Sequence, residues 1–142
     1  MTVLVDTGVL YALTDADDTH HEACVRWLTA STDDLLVPSL VIPEAAYLIG
    51  SRGGAQAEAS FLDALVPGGR FGVAELDRDV DLARIAELVR TYANLPLGTV
   101  DAAVVATAER LRVHEIATVD RRDFTIVRPA HIEAFTLLPH LG

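Results

Sequence analysis

The chain has 142 residues, 51% of them apolar, which is the size and composition of one globular domain, 1–142, large enough to bury a substantial core. Its single cysteine excludes an internal disulfide, and its 11 basic residues are all arginine, so Schiff-base lysine chemistry, the P-loop lysine and the lysine of phospho-receiver domains are excluded as well. The 21 acidic residues give a net charge of −10, opposite in sign to the usual electrostatic footprint of a nucleic-acid binder.

Met1 leads directly into an apolar segment and not into a basic, cleavable leader, and no apolar run approaches membrane-spanning length. The expectation is a cytoplasmic protein with no membrane contact. Residues 2–5, a short continuous apolar run bounded by Asp6 and Gly8, read as a strand buried on both faces. Residues 8–13 suit a short helix. After the polar turn 15–18, a second helix is expected over 19–30, opened by a capping box between Thr19 and Glu22, with Cys24 packed beside Trp27 and Leu28. Residues 35–37 form a second buried strand. The almost wholly apolar segment 40–50 reads as a helix, and Gly53-Gly54 separates it from another at 55–66.

A third strand is expected at 71–76, and the apolar residues Leu82, Ile85, Ala86, Val89, Tyr92 and Ala93 mark one face of a helix over 77–93. Asn94 and Pro96 stop it. Val100, Ala103, Val104, Ala108 and Leu111 repeat the helical spacing over 99–112, with Thr99 as the expected cap. A fourth strand follows at 115–119, then an arginine-rich turn and two weaker strand candidates at 125–127 and 134–138. Strands alternating with helices predict a three-layer α/β/α sandwich around a central, mostly parallel sheet. Ligands of such sheets bind at the carboxyl ends of the strands.

Several acids fall at that edge. Asp6 follows the first strand and Asp120 ends the fourth, so both project from one edge if those strands are parallel; for Asp6 an Asx-turn or helix cap is the structural alternative. Glu44 is the only charged residue between Leu35 and Ser51, and a carboxylate buried in such a stretch calls for a compensating cation; the alternative is a glutamate near a helix start that reaches solvent or a buried arginine. Asp101 lies in the first turn of its helix, where the helix dipole alone already favours an acid. Thr118, on Asp120's side of the pleat, is placed to orient a carboxylate or a metal-bound water, with a structural strand threonine as the alternative, and Asp123 is a further acid whose alternative is pairing with Arg121 and Arg122.

Carboxylates converging at one edge raise one another's pKa and cannot all ionise without a cation. An all-oxygen set suits Mg²⁺ or Mn²⁺, because no thiolate or histidine cluster competes and the five histidines are scattered into solvated or core positions. Such a centre suits phosphodiester hydrolysis, with no protein nucleophile required.

Taken together, Val3-Leu4-Val5-Asp6-Thr7, Val41-Ile42-Pro43-Glu44-Ala45, Leu97-Gly98-Thr99-Val100-Asp101-Ala102 and Thr118-Val119-Asp120-Arg121-Arg122-Asp123-Phe124 make the sequence similar to the PIN-domain ribonucleases, most closely to VapC-type toxins of toxin–antitoxin pairs. The order and spacing of these pieces cover almost the whole chain. The resemblance implies an acidic quartet, Asp6, Glu44, Asp101 and Asp120, that binds Mg²⁺ or Mn²⁺, with Asp123 as a less constant acid. It also implies a homodimer, a VapB-type antitoxin partner, and structured RNA, transfer or ribosomal, as substrate. Arg52, Arg121, Arg122 and Arg128 are the arginines positioned for phosphate contact. Two other classes compete. A phosphatase of the aspartyl-phosphate type needs an acid where Gly8 stands, and so falls away. A non-catalytic PIN-like module binding a protein partner stays open, because an acidic surface suits a basic tail as well as a metal.

Overall fold

The structure, a computed structural model, describes residues 1–141. The elements are β1 (Thr2–Val5), α1 (Thr7–Thr14), α2 (His21–Ala30), β2 (Asp34–Pro38), α3 (Val41–Gly53), α4 (Ala55–Asp63), β3 (Gly72–Ala74), α5 (Arg78–Thr91), α6 (Thr99–Leu111), β4 (Glu115–Ala117), α7 (Arg122–Ile126) and β5 (Thr136–Leu138). The sheet has the order β3-β2-β1-β4-β5, and every adjacent pair is parallel. The expected α/β sandwich is therefore present, with its sheet fully parallel.

The run Val3-Leu4-Val5 is wholly buried, as a central strand covered on both faces must be. Parallel neighbours need crossover connections of one hand, which puts α1 to α4 on one face and α5 and α6 on the other. Packing of α1 on α2 and α3, of α3 on α4 and of α5 on α6 agrees with this division. The chain builds outward from β1 through β2 to β3, then returns across the sheet to β4. The switch point thus lies between β1 and β4, where parallel sheets open a crevice at their carboxyl ends. Helix α6 is the best-buried helix: all residues from Ala102 to Ala108 are buried.

Several local expectations need correction. The helix after the 15–18 turn begins at His21, and Thr19 with Glu22 forms no capping box; instead Asp18 accepts from the His20 N–H through its side chain (2.8 Å) and from the His21 N–H through its carbonyl (3.0 Å). Helix α6 is capped by the Gly98 position, with Thr99 already its first residue. Of the two weak strand candidates, 134–138 contains β5, whereas 125–127 belongs to the end of α7. Phe124 and Val127 are both buried there while Ile126 is half exposed, so one turn of helix satisfies the apolar spacing that a strand would not. Among the described residues, no helix is long and apolar enough to cross a membrane.

Candidate active site

Strand β1 delivers Asp6 to the switch point. Its N–H continues the sheet by donating to the Ala117 carbonyl (2.9 Å), and its extended backbone then turns into α1. Gly8 is needed for this close approach, since a Cβ there would stand 2.5 Å from Val119 Cγ2. Asp6 is only 6% exposed. The fully buried Thr118 hydroxyl donates to its Oδ2 at 3.2 Å and also lies 3.1 Å from the Asp120 carbonyl. Thr118 thus orients a carboxylate, as expected, and that carboxylate belongs to Asp6.

No ion pair neutralises Asp6 among the described residues. Burial pushes its carboxyl up from the ordinary 3.8 to about 6, with the Thr7 N–H and the Thr118 hydroxyl pulling the other way and the charges of Glu44 and Asp120 adding to the rise. Asp101, in the first turn of α6 and partly buried, is pushed further, to about 8. Burial is again the largest cause, followed by a hydrogen bond with the Asp123 carboxyl and by the charges of Asp6, Asp123 and Glu44. Asp101 is thus the carboxyl of this edge that gains most from a neighbouring positive charge.

Glu44 meets the solvent-reaching alternative and not the buried one. It occupies the first turn of α3 as an exposed residue, so burial supplies no reason for a counter-ion there. The apolar stretch around it misleads because α3 keeps apolar residues on its outer side as well: Tyr47 is 76% exposed, while Val41, Ala45 and Ile49 face the core. Glu44 nevertheless lies close enough to raise both Asp6 and Asp101. Asp120 is also exposed, three residues beyond β4, and not the last residue of a strand.

The fold therefore brings the charges of Glu44 and Asp120 to bear on Asp6, and those of Asp6, Asp123 and Glu44 to bear on Asp101. The convergence is loose: among the described residues, no three His, Cys, Asp or Glu side chains are gathered tightly enough to chelate an ion outright. Like charges repel, and the exposed Glu44 and Asp120 side chains have room to stand apart and to swing inward. The donor set fits a hard divalent cation on two observations. It contains only oxygen, and its two inward members, Asp6 and Asp101, are raised chiefly by burial with no ion-pair partner among the described residues. The Thr7 hydroxyl, next in sequence to Asp6, is buried without a hydrogen-bond partner and escaped notice in the sequence, where the only signal was its place beside the acid.

The arginines divide. Arg121 is turned inward, its Nε donating to the Thr118 carbonyl (3.1 Å) and its Nη2 to the Pro139 carbonyl, so it braces the Asp120 turn and does not present itself to phosphate. Arg122 reaches the Leu95 carbonyl at 3.4 Å. Arg128 is exposed, and Arg52 lies over the Tyr11 ring.

This fold and edge have counterparts. The PIN domain family profile matches residues 3–128. Ribonuclease VapC26 of Mycobacterium tuberculosis is 34% identical over 137 residues, spanning 96% of this chain and 100% of that protein. Among solved structures, VapC20 of the same organism, described as a sarcin-ricin loop cleaving toxin, superposes with a TM-score of 0.76 at 19% identity, over 84% of this chain and 90% of that one. A chain of the VapBC2 complex of Rickettsia felis, bound to a DNA fragment from its promoter, gives 0.68 at 13% identity, over 98% and 100%. With a profile match over most of its length and a full-length relative at this identity, the chain belongs to the PIN-domain family and, within it, to the VapC group.

Proposed function

We propose that this protein is a Mg²⁺- or Mn²⁺-dependent endoribonuclease, the cytoplasmic toxin of a VapBC-type pair, with Asp6, Glu44, Asp101 and Asp120 as its metal-binding acids. The observation that carries the reading is the buried Asp6 carboxyl beside the partly buried Asp101 carboxyl, both without an ion-pair partner among the described residues and both held above their ordinary pKa at the carboxyl edge of a parallel sheet. Asp6 and Asp101 would form the floor of the metal site, and the exposed Glu44 and Asp120 its rim. A bound divalent ion supplies an activated water and neutralises charge on the scissile phosphate.

The protein's own groups do the rest. Thr118 fixes the orientation of Asp6, and Arg121 holds the Thr118–Asp120 turn against the Pro139 carbonyl. Asp101, whose carboxyl is raised chiefly by burial, would ionise more readily with a cation beside it. Structured RNA, transfer or ribosomal, is the proposed substrate. A homodimer and a VapB-type antitoxin are the proposed partners, the latter supported by the VapBC complexes among the structural neighbours. The antitoxin's carboxyl-terminal segment would cover the helices around the acidic groove.

The test is sequencing of RNA ends after brief expression of the wild type beside Asp6→Asn. Discrete new ends that depend on Asp6, and cleavage by the purified protein that EDTA stops, are expected. Intact cellular RNA after incubation with purified, Mn²⁺-loaded, partner-free protein would overturn the reading in favour of a non-catalytic binding module.

A further inference from the structure

Away from the acidic edge, the far ends of α1 and α3 enclose a cavity of about 520 Å³ whose lining includes Tyr11, Asp15, Asp17, Ile49 and Arg52. The Arg52 guanidinium carbon sits 5.0 Å from the centre of the Tyr11 ring, a cation–π contact that fixes a flexible cation. The Tyr11 hydroxyl donates to Asp15 Oδ2, and the Asp17 N–H donates to Asp15 Oδ1 at 2.9 Å, so the facing carboxylate is fixed as well. Among the described residues, no carboxylate comes within ion-pair distance of Arg52, and its side chain is exposed. The cavity thus holds a donor fork and an acceptor fork side by side without their neutralising each other in a direct pair.

A bare phosphate does not suit this lining, because Asp15 and Asp17 would oppose it. A nucleobase with acceptors on one edge and donors on the next does suit it. Guanine has that pattern: O6 and N7 accept from an arginine fork, while N1–H and N2–H donate to a carboxylate. Adenine turns a donor, its amino group, toward the arginine. Unstacked bases of single-stranded RNA are read in this way, by edge hydrogen bonds and by stacking on guanidinium planes.

Resting on the ribonuclease reading, we infer that the Arg52, Tyr11, Asp15 and Asp17 cavity is a guanine-selecting subsite for single-stranded RNA that extends from the acidic edge. The same two helices carry both places. Asp15 lies nine residues beyond Asp6, and Arg52 eight beyond Glu44, so the subsite stands roughly 12 to 14 Å along the helix axes from the acids. A looped-out RNA segment spans that distance, so the base selected is a neighbour of the bond cut and not part of it.

The test uses the wild-type chain in EDTA, so that binding is measured without cleavage, with fluorescein-labelled eight-nucleotide RNAs that are uridine apart from one central base. Guanosine at that base binds about ten-fold tighter than adenosine. Both 7-deazaguanosine, which lacks N7, and inosine, which lacks the N2 amino group, give up several-fold of that advantage. Arg52→Ala and Arg52→Lys both abolish the guanosine preference, the second because an ammonium keeps the charge and loses the fork. Equal binding of the guanosine and adenosine probes, or a preference that survives both substitutions, overturns the inference. Cleavage of cellular RNA by the same preparation in Mn²⁺ separates the two ideas: cleavage without guanosine preference sinks the subsite alone, and preference without cleavage sinks the nuclease alone.

Discussion

Acids that the fold buries wholly or in part meet two fates in this chain. Between α5 and α6, Asp81 is 1% exposed and accepts from Arg110 Nε at 3.0 Å, while Glu109 is gripped by Arg84 through Nε and Nη2 at 2.7 and 2.8 Å. Burial alone would raise Glu109, yet the Arg84 hydrogen bonds and the Ala130 N–H hold it below the ordinary carboxylate range. At the carboxyl edge, Asp6 and Asp101 have burial without any arginine, and both rise. The contrast teaches that the fold has arginines to spend on acids that tie helices together and withholds them from acids at the strand ends. An acid left without positive charge is a cost to folding, and such costs concentrate at functional sites.

The largest expected effect breaks the paired side of this comparison. Asp81→Ala strands the Arg110 guanidinium between α5 and α6 and should lower unfolding stability by about 3–5 kcal/mol, read from urea denaturation, with a change in midpoint and little change in slope. The next effect has the opposite sign. Asp6→Asn removes a carboxylate that pays for its burial at neutral pH, so the metal-free variant should be more stable than the wild type at pH 7.5, by on the order of 2–3 kcal/mol, while losing RNA cleavage. A destabilised Asp6→Asn protein would show that the carboxylate is a structural member like Asp81. The smallest effect is that of Thr118→Val, which keeps the shape and removes the hydroxyl that pulls Asp6 down. Asp6 should then titrate at higher pH, visible in its carboxyl carbon shift by NMR, and cleavage should fall by about ten-fold.

Much of this was legible in the sequence, for reasons that differ by element. The unbroken run Val3-Leu4-Val5 admits only a doubly covered strand, and an acid straight after it must stand at the sheet's edge. The spacing of Val100, Ala103, Val104 and Ala108 likewise marks α6 as a helix, although the structure buries every residue from Ala102 to Ala108 and leaves Leu111 exposed. What the sequence concealed is how far each acid is buried. Glu44 reads as interior because its neighbours are apolar, but α3 leaves Tyr47 and Pro43 outside with it. The pleat pointed to Thr118 as a residue that orients a carboxylate, but that the carboxylate is Asp6, 112 residues away, depends on a contact across the fold that no local pattern records. Arg121 reads as a phosphate ligand from its position beside Asp120, whereas its guanidinium is spent on two carbonyls. The segment 125–127 is rich in β-branched residues, and tertiary burial of Phe124 and Val127 overrode that preference.

The most direct measurement is thermal unfolding of the wild type at pH 5.5 and 7.5, with and without Mn²⁺. The sign follows from the raised acids: the folded state binds more protons than the unfolded one between the ordinary 3.8 and the folded values of about 6 and about 8, so metal-free stability falls as pH climbs through that window. Manganese should restore it, raising the melting temperature by several degrees more at pH 7.5 than at 5.5, where protons already occupy the carboxyls, and Asp6→Asn should erase the difference. A metal-free protein that grows more stable from pH 5.5 to 7.5, or one whose melting temperature Mn²⁺ leaves unchanged at pH 7.5, would contradict the account.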